Sequence, residues 1–310
     1  MRLACVSVDL DEIPCYTAIH GLGELGGEAE HAIYRKALPR LERFFDQHRV
    51  AATFFVIGRD AATDDNGRAL ARLRDQGHEL ASHSQSHYYD LTRRGRDEML
   101  REVLDAQTSI ERATGERPRG FRAPGYTVTD ALFDVLGEAG IEWDSSVFPC
   151  PAYWTAKAGA LGLIRARGRQ SRSILDDPRV LTAPADPYRV GSPYWKRGEG
   201  LLELPIGVTR DVTGRLPFIG TSVVLAGARG AAGLARLASG RPLVNLELHG
   251  IDLADARSDG LEQLAKHQPD LRVSAANKAD ALAAAIERLR RDGYRFVTLS
   301  EAARELAAAG

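Results

Sequence analysis

Two histidines in the run His83-Ser-Gln-Ser-His87 are the residues of this chain whose types and spacing best suit chemistry. On one helical turn an H-x-x-x-H pair presents both imidazoles on the same face, at the separation a metal ion needs. A satisfied structural pair of histidines has the same spacing. The glutamate of an H-E-x-x-H protease site is missing, which excludes that chemistry. A second group, Asp9-Leu10-Asp11, follows the apolar run 3–8. Positions two apart on a strand share a face, so both carboxylates can enter one pocket; a solvated turn after a strand reads alike. Carboxylates brought together repel, and a cation between them offsets the cost. One aspartate and two histidines make three ligands and leave a coordination position open, as a hydrolase requires. Arg122, in Phe121-Arg-Ala-Pro-Gly-Tyr126, and His249, in Leu246-Glu-Leu-His-Gly-Ile-Asp252, also end apolar strands. Taken singly, the first reads as a surface arginine before a tight turn and the second as a structural histidine.

The elements that must position these residues alternate. Strands are expected at 3–8, 50–57, 79–82, 120–122, 141–144, 201–206, 243–249 and 295–298, and helices at 34–48, 67–76, 96–114, 129–139, 276–292 and from 300 onward. Repeated β–α units imply a parallel sheet. Polar residues at the strand ends (Asp9, His83, Arg122, Asp144, His249) favour a closed barrel with its chemistry at the C-terminal face. Residues 148–200 break the alternation, being rich in proline, glycine, arginine and aromatics without a period. They are expected to form a long irregular segment capping the mouth. There Tyr153, Trp154, Tyr188, Tyr194 and Trp195 would either stack on a sugar or pack against the barrel. Residues 216–238 carry only arginine charges and read as a buried barrel helix or as an element lying on a membrane surface. No stretch reads as a linker, so one domain is expected over 1–310.

Composition narrows the function classes. The 310 residues are 44% hydrophobic and 27% charged, the mixture of a soluble globular chain that can bury a core without staples. The 41 basic and 42 acidic residues nearly cancel, giving a net charge of −1 and no electrostatic footprint for nucleic acid. Cys5, Cys15 and Cys150 lack C-x-x-C spacing, against a disulfide framework or a cysteine zinc site. The opening MRLACVSVDLDE leaves no room for an export signal, and a cytoplasmic location is expected.

In this order the strings resemble the motifs of the polysaccharide deacetylase family, carbohydrate esterase family 4 with the NodB-homology fold, from about Leu3 to His249. The resemblance implies an α/β fold, a distorted (β/α)7-8 barrel. It implies Asp9 as catalytic base and Asp11, His83 and His87 as metal ligands. Arg122, Pro124 and Tyr126 match the motif whose arginine holds the base and whose tyrosine region offers a backbone N–H to the oxyanion. Leu246, Leu248 and His249 match the motif carrying the general acid. The fourth motif departs: D-x-x-D-W is here Asp144-Ser-Ser-Val-Phe-Pro149, so Asp144 remains at the substrate side without its partner aspartate or tryptophan. The carboxylate that tunes the acid histidine is then Asp144, Asp252 or Glu203. The implied reaction is hydrolysis of an acyl amide, N-deacetylation of an N-acetylamino sugar, with a divalent metal: zinc by default, cobalt or nickel compatible. The expected partner is an N-acetylated sugar or glycolipid in an intracellular glycoconjugate, with no protein partner inferable. Release of formate, another amide, or a catalytically inactive carbohydrate-binding protein are the alternatives; a binding module has no reason to keep both a base and an acid.

Overall fold

The structure is a computed structural model that describes residues 2–309. Its strands are β1 Leu3–Asp9, β2 Thr53–Val56, β3 Glu79–Ser82, β4 Gly120–Phe121, β5 Trp143–Asp144, β6 Tyr188–Val190, β7 Arg197–Glu203, β8 Leu243–His249 and β9 Arg295–Phe296. Its α-helices are α1 Ile13–Ile19, α2 Leu38–His48, α3 Gly58–Ala61, α4 Asp64–Asp75, α5 Arg96–Thr114, α6 Asp130–Glu138, α7 Pro151–Ala166, α8 Gly220–Ala238, α9 Ala256–Asp259, α10 Ala275–Arg291 and α11 Leu299–Ala309. They surround one curled sheet in the order β6-β7-β5-β4-β3-β2-β1-β8, with β9 joining β1 at its start. All pairs are parallel except β6 with β7.

The α/β expectation holds, but the sheet is a curled half-barrel rather than a ring closed by strand pairing. No ladder joins β7 to β8 among the described residues. The gap is bridged by the backbone after β7: Gly207 N–H donates to Asn245 O at 2.8 Å, and Leu204 and Ile206 donate back to Asp144 and Val147. The Arg241 guanidinium also donates to Val208 O and Thr209 O. Pro205 within this bridge cannot donate to a ladder, which suits irregular backbone better than a strand.

Alternation along the central strands puts the chemistry at one end. Ala4, Val6 and Val8 of β1, like Val244, Leu246 and Leu248 of β8, face outward into the core shared with α2, α8 and α10. The other parity faces inward. At the start of the strands it is apolar, with Leu3, Cys5, Phe55, Trp143 and Leu243 packed under Leu299 and Ala302 of α11. Toward the C-terminal ends it turns polar: Ser7 and Asp9 on β1, Asn245, Glu247 and His249 on β8. Ser7 Oγ donates to Asn245 Oδ1 at 3.0 Å across the interior.

Residues 148–200 are not irregular throughout. They open with α7, whose 16 residues include none that is buried, and then contain β6 and the start of β7. Its helical period is hidden because its inner face lies against a pocket rather than a packed core. Tyr188 and Tyr194 belong to the core around α6, and Trp195 lies under Arg179, so they do not present faces to a ligand. Trp154 donates its indole N–H to Asp176 O. Within residues 216–238, Gly220–Ala238 form α8, kinked at Gly227, with Val223, Val224, Ala231, Ala235 and Ala238 buried. One face of that stretch packs against α10, while Leu216 and Leu225 are exposed. Among the described residues no helix is long and apolar enough to cross a membrane. All three cysteines are free and buried.

Gly58 opens α3 where the helix meets α5 and the 83–87 loop. A Cβ there would lie 2.8 Å from Ala106 Cα and 2.1 Å from Gln85 Oε1. Gly58→Ala should destabilise the fold by about 1–3 kcal/mol through overpacking, measured as a lower midpoint in urea unfolding; an unchanged midpoint would show that the α3–α5 contact yields freely.

Candidate active site

The register of β1 against β8 sets Asp9 beside His249 and Ser7 beside Glu247 at the C-terminal strand ends. Asp9 Oδ1 accepts a hydrogen bond of 2.6 Å from Arg122 Nη1. Arg122 leaves the end of β4 and is wholly buried. Its other two nitrogens are also engaged: Nε gives to Ser145 O at 2.8 Å, Nη2 to Ser7 Oγ and Ser145 Oγ at 2.9 Å. The guanidinium lies 4.0 Å over the Phe55 ring. A surface arginine is thereby excluded. A buried cation with this many donors needs partners for them, and the same contacts orient the Asp9 carboxyl.

Asp11, His83 and His87 converge from two chain segments. Asp11 Oδ1 lies 3.4 Å from His83 Nε2 and 3.3 Å from His87 Nε2, and Asp9 Oδ2 is 3.8 Å from His83 Nε2. The histidine pair is not on a helical turn. It sits in a loop after β3 with Ser84 at φ +61° and His87 at φ +54°. The loop backbone is drawn outward instead: Gly58 and Arg59 donate to Ser84 O and Gln85 O. The Glu102 carboxylate accepts from both Ser86 N and Ser86 Oγ at 2.8 Å. With those groups engaged elsewhere, no i to i−4 ladder forms, and strained left-handed residues turn both rings inward.

This group fits a divalent metal. Bonds of about 2.0–2.2 Å to one tetrahedral ion place donor atoms roughly 3.3–3.6 Å apart, close to the two separations between Asp11 and the histidines. Asp11 Oδ1 and both ring nitrogens of His87 are buried without a hydrogen-bond partner among the described residues. His83 Nδ1 lies 2.8 Å from Arg122 O, so Nδ1 carries the proton and Nε2 offers its lone pair toward Asp11. Burial brings His83 down to about 4, leaving it neutral. Burial would also strip His87 of its proton, but Asp11 reverses this and lifts His87 well above its ordinary value. Burial pushes Asp11 upward, and the two histidines overcome it to hold Asp11 well below the usual carboxylate range. Positive charge is what keeps this cluster together.

His249 has a carboxylate partner that none of Asp144, Asp252 and Glu203 supplies. His249 Nδ1 lies 2.9 Å from Glu247 Oε1, two residues earlier on β8. The strand parity that placed Asp9 and Asp11 together applies equally to Glu247 and His249, so the signal was in the sequence. Burial opposes the charge on His249, yet Glu247, with Asp9 and Asp11, raises it well above the ordinary imidazole value. Asp252 accepts instead from the His249 backbone N–H at 2.8 Å. Asp144 does not face the pocket. It is buried, accepts from Ser146 N and Oγ, and pairs with Glu203, and burial pushes both carboxyls up. Through Ser146 Oγ, which accepts from Ala123 N at 2.8 Å, it anchors the turn that follows Arg122.

That turn is strained, with Gly125 at φ +64° and Tyr126 at φ +59°. The Tyr126 N–H, expected at the oxyanion, is engaged with Ala123 O at 3.0 Å. The residue reaches the site through its hydroxyl, 3.2 Å from His249 Nε2. Asp9, Asp11, His83, Tyr126 and His249 all line one pocket of about 240 Å³. Tyr153, Lys157, Ala160, Leu161 and Ile164 form its outer wall, an i, i+4, i+7, i+8, i+11 face of α7. Ile19, Ile219 and Ile251 add apolar surface. The Asp9 carboxyl, Asp11 and His83 of the three-residue cluster, and the His249 imidazole thus meet in one small cavity.

Comparison with known proteins agrees with this geometry. The family profile described as "Polysaccharide deacetylase" matches residues 31–143, a stretch containing His83, His87 and Arg122. Chitooligosaccharide deacetylase of Sinorhizobium fredii is 40% identical over 96 residues, 31% of this chain and 43% of that protein. A peptidoglycan-N-acetylglucosamine deacetylase of Listeria monocytogenes is 31% identical over 97 residues, 31% of this chain and 20% of its own length. The matched stretch therefore spans less than half of either relative. A crystal structure from Mycobacterium smegmatis, assigned as a polysaccharide deacetylase, shares the fold with a TM-score of 0.60 at 18% identity, covering 99% of this chain and 91% of its own. The Xyl-CE4 domain of a multidomain xylanase, from the hindgut metagenome of Trinervitermes trinervoides, follows with 0.51 at 16% and the same coverages.

Removing the Glu247 charge should let His249 lose its proton more easily. Glu247→Gln is expected to move the His249 titration, followed by imidazole NMR signals, to lower pH, with the basic limb of any pH–rate profile moving the same way. A titration that stays in place would assign the raised value to the neighbouring aspartates instead.

Proposed function

The chain belongs to the polysaccharide deacetylase family, and from that premise we propose that it hydrolyses the acetamide of an N-acetylated amino sugar with a divalent metal as cofactor. The observation that carries this reading is the pairing of Asp9 and His249 on adjacent strand ends, with Asp11 and His83 against the same pocket and His87 in contact with Asp11 behind them. A base without an acid would leave the amine nitrogen a poor leaving group, and the pocket holds both.

Asp11, His83 and His87 would hold the metal, which supplies Lewis-acid polarisation of the acetamide carbonyl and of a water molecule. Asp9 accepts the proton of the attacking water on Oδ2, because Oδ1 is taken by Arg122. Arg122 cannot swing away, since every guanidinium nitrogen is bonded inside the sheet. His249 carries its proton on Nε2 toward the departing nitrogen, while Glu247 stabilises the charge on the Nδ1 side. The Tyr126 hydroxyl, 3.2 Å from Nε2, orients the imidazole before substrate arrives. Acetate and a free amine are the products. The isoleucines and the α7 face of the pocket support a substrate whose sugar is attached to an apolar group, bound by area at roughly 25 cal/mol per Å² before ordering costs.

The test separates ligands from proton carriers. His83→Ala should lose stoichiometric metal by elemental analysis. Asp9→Asn should keep metal and lose on the order of 10²-fold or more in kcat, read as acetate released from a panel of N-acetylamino sugars. Near-native turnover in Asp9→Asn, or release of formate from N-formyl sugars in preference to acetate, would overturn the respective assignment.

A further inference from the structure

Resting on the deacetylase reading, we propose that the groove beside the catalytic pocket binds a phosphate or diphosphate group of the substrate, gripped by Arg93 and Arg172. The groove has a volume of about 1010 Å³ and shares Tyr89 and Ser173 with the catalytic pocket, and His87 forms part of its wall. Four arginines line it: Arg59, Arg93, Arg94 and Arg172. Arg59 is paired with Asp60, and Arg94 with Asp90 and Glu98 while lying over the Tyr88 ring. Arg93 and Arg172 are exposed, and among the described residues neither side chain has an ion pair or hydrogen bond. The carboxylates on the groove are Asp90, held by Arg94, and the exposed Glu24.

The positive charge extends past the groove. From Trp154 to Leu175 the sequence has no carboxylate but contains Lys157, Arg165, Arg167, Arg169 and Arg172. Arg165 and Arg169 border a neighbouring hollow that also includes Ser173, and their side chains, with that of Arg167, have no partner among the described residues. The field is felt across the rim. His267 falls below its ordinary value through slight burial and then through Arg169, His20 and Arg167. His20 stacks on His267 at 5.8 Å and lines the catalytic pocket.

Exposed guanidiniums crowded without counter-charges repel and stabilise nothing in the fold. In a chain of net charge −1 their concentration at one edge of the active site is a binding feature. The planar fork of arginine matches phosphate oxygens in pairs, and two forks on separate segments suit a phosphate or diphosphate held between them. Such a group would lie just outside the pocket when the acetamido sugar is inside, which makes the substrate a sugar linked through phosphate. The same chemistry serves a soluble nucleotide sugar and a polyisoprenyl-phosphate sugar.

The test has a binding arm and a turnover arm, both on the metal-loaded protein. Pyrophosphate binding by calorimetry is expected, and Arg93→Ala/Arg172→Ala should weaken it by about 10-fold or more. Heat that persists unchanged in the double variant belongs to the metal centre and overturns the proposal. In turnover, the ratio of kcat/KM for UDP-N-acetylglucosamine, or for a polyisoprenyl-phosphate N-acetylglucosamine in neutral detergent, over that for neutral chitobiose should fall by about 10-fold or more in the double variant. The better of the two phosphate substrates identifies the source. A ratio insensitive to both arginines, or an equal effect on neutral chitobiose, overturns the groove assignment. Arginine-dependent pyrophosphate binding without acetate release from any sugar would leave the groove standing and remove the deacetylase reading.

Discussion

A guanidinium buried inside a curled sheet is the constraint on which the rest of this protein depends. Arg122 is fully enclosed, and an unpaired cation in such a place would cost several kcal/mol. The Asp9 carboxyl must therefore lie in contact with it. The hydroxyls of Ser7 and Ser145 and the carbonyl of Ser145 must accept what remains. Asn245 then ties Ser7 to Ser145, joining β1, β8 and the segment after β5 through side chains where the ladder is missing. The interior of the half-barrel is accordingly a hydrogen-bonded plug above an apolar base. Fixing the Asp9 carboxyl and closing the sheet are one interaction.

The second requirement is that a cluster of one carboxylate and two imidazoles stay assembled. The structure meets it with restraint from outside. Glu102 on α5 holds Ser86, α3 pairs with Ser84 and Gln85, and the Arg122 carbonyl fixes the His83 ring. Each anchor lies on an element with its own hydrophobic packing, so the loop is rigid although it is irregular and contains two left-handed residues. Glu247 plays the corresponding part for His249, and Asp252 pins the backbone from which that imidazole projects. The His249 side and the Asp11, His83 and His87 side thus depend on different elements and meet only across the pocket.

The sheet supplies polar chemistry, and α7 supplies the wall that gives it a shape. One helix face covers the strand ends, and Lys157 donates to Gly125 O at 2.9 Å to tie that wall to the strained turn. Burial brings Lys157 down to about 8 against the opposing pull of Asp176. Beyond the helix the arginine-rich rim begins, so apolar surface and positive charge border the entrance to the pocket.

Much of this was legible in the residues. The positions of β1, β3, β8, α5 and α10 and the polar strand ends follow from local pattern, because strand parity and apolar periodicity act over a few residues; that Asp9, Asp11, His83, His87, Arg122 and His249 form one set came from the resemblance of their motifs to a family's. The role of Glu247 was equally local, since it shares the parity of His249. What sequence could not decide was set by contacts between distant segments. The H-x-x-x-H run became a loop because α3 and Glu102 claim its backbone. Asp144 was turned from the pocket by Ser146 and Glu203. The apparent disorder of residues 151–166 resolved into a helix only when its inner face had a cavity to line. Closure of the sheet fell to the backbone around Gly207, through a hydrogen bond to Asn245 whose partners lie far apart in the chain. Local periodicity reports which face of an element is apolar; only the assembled structure decides what that face will meet.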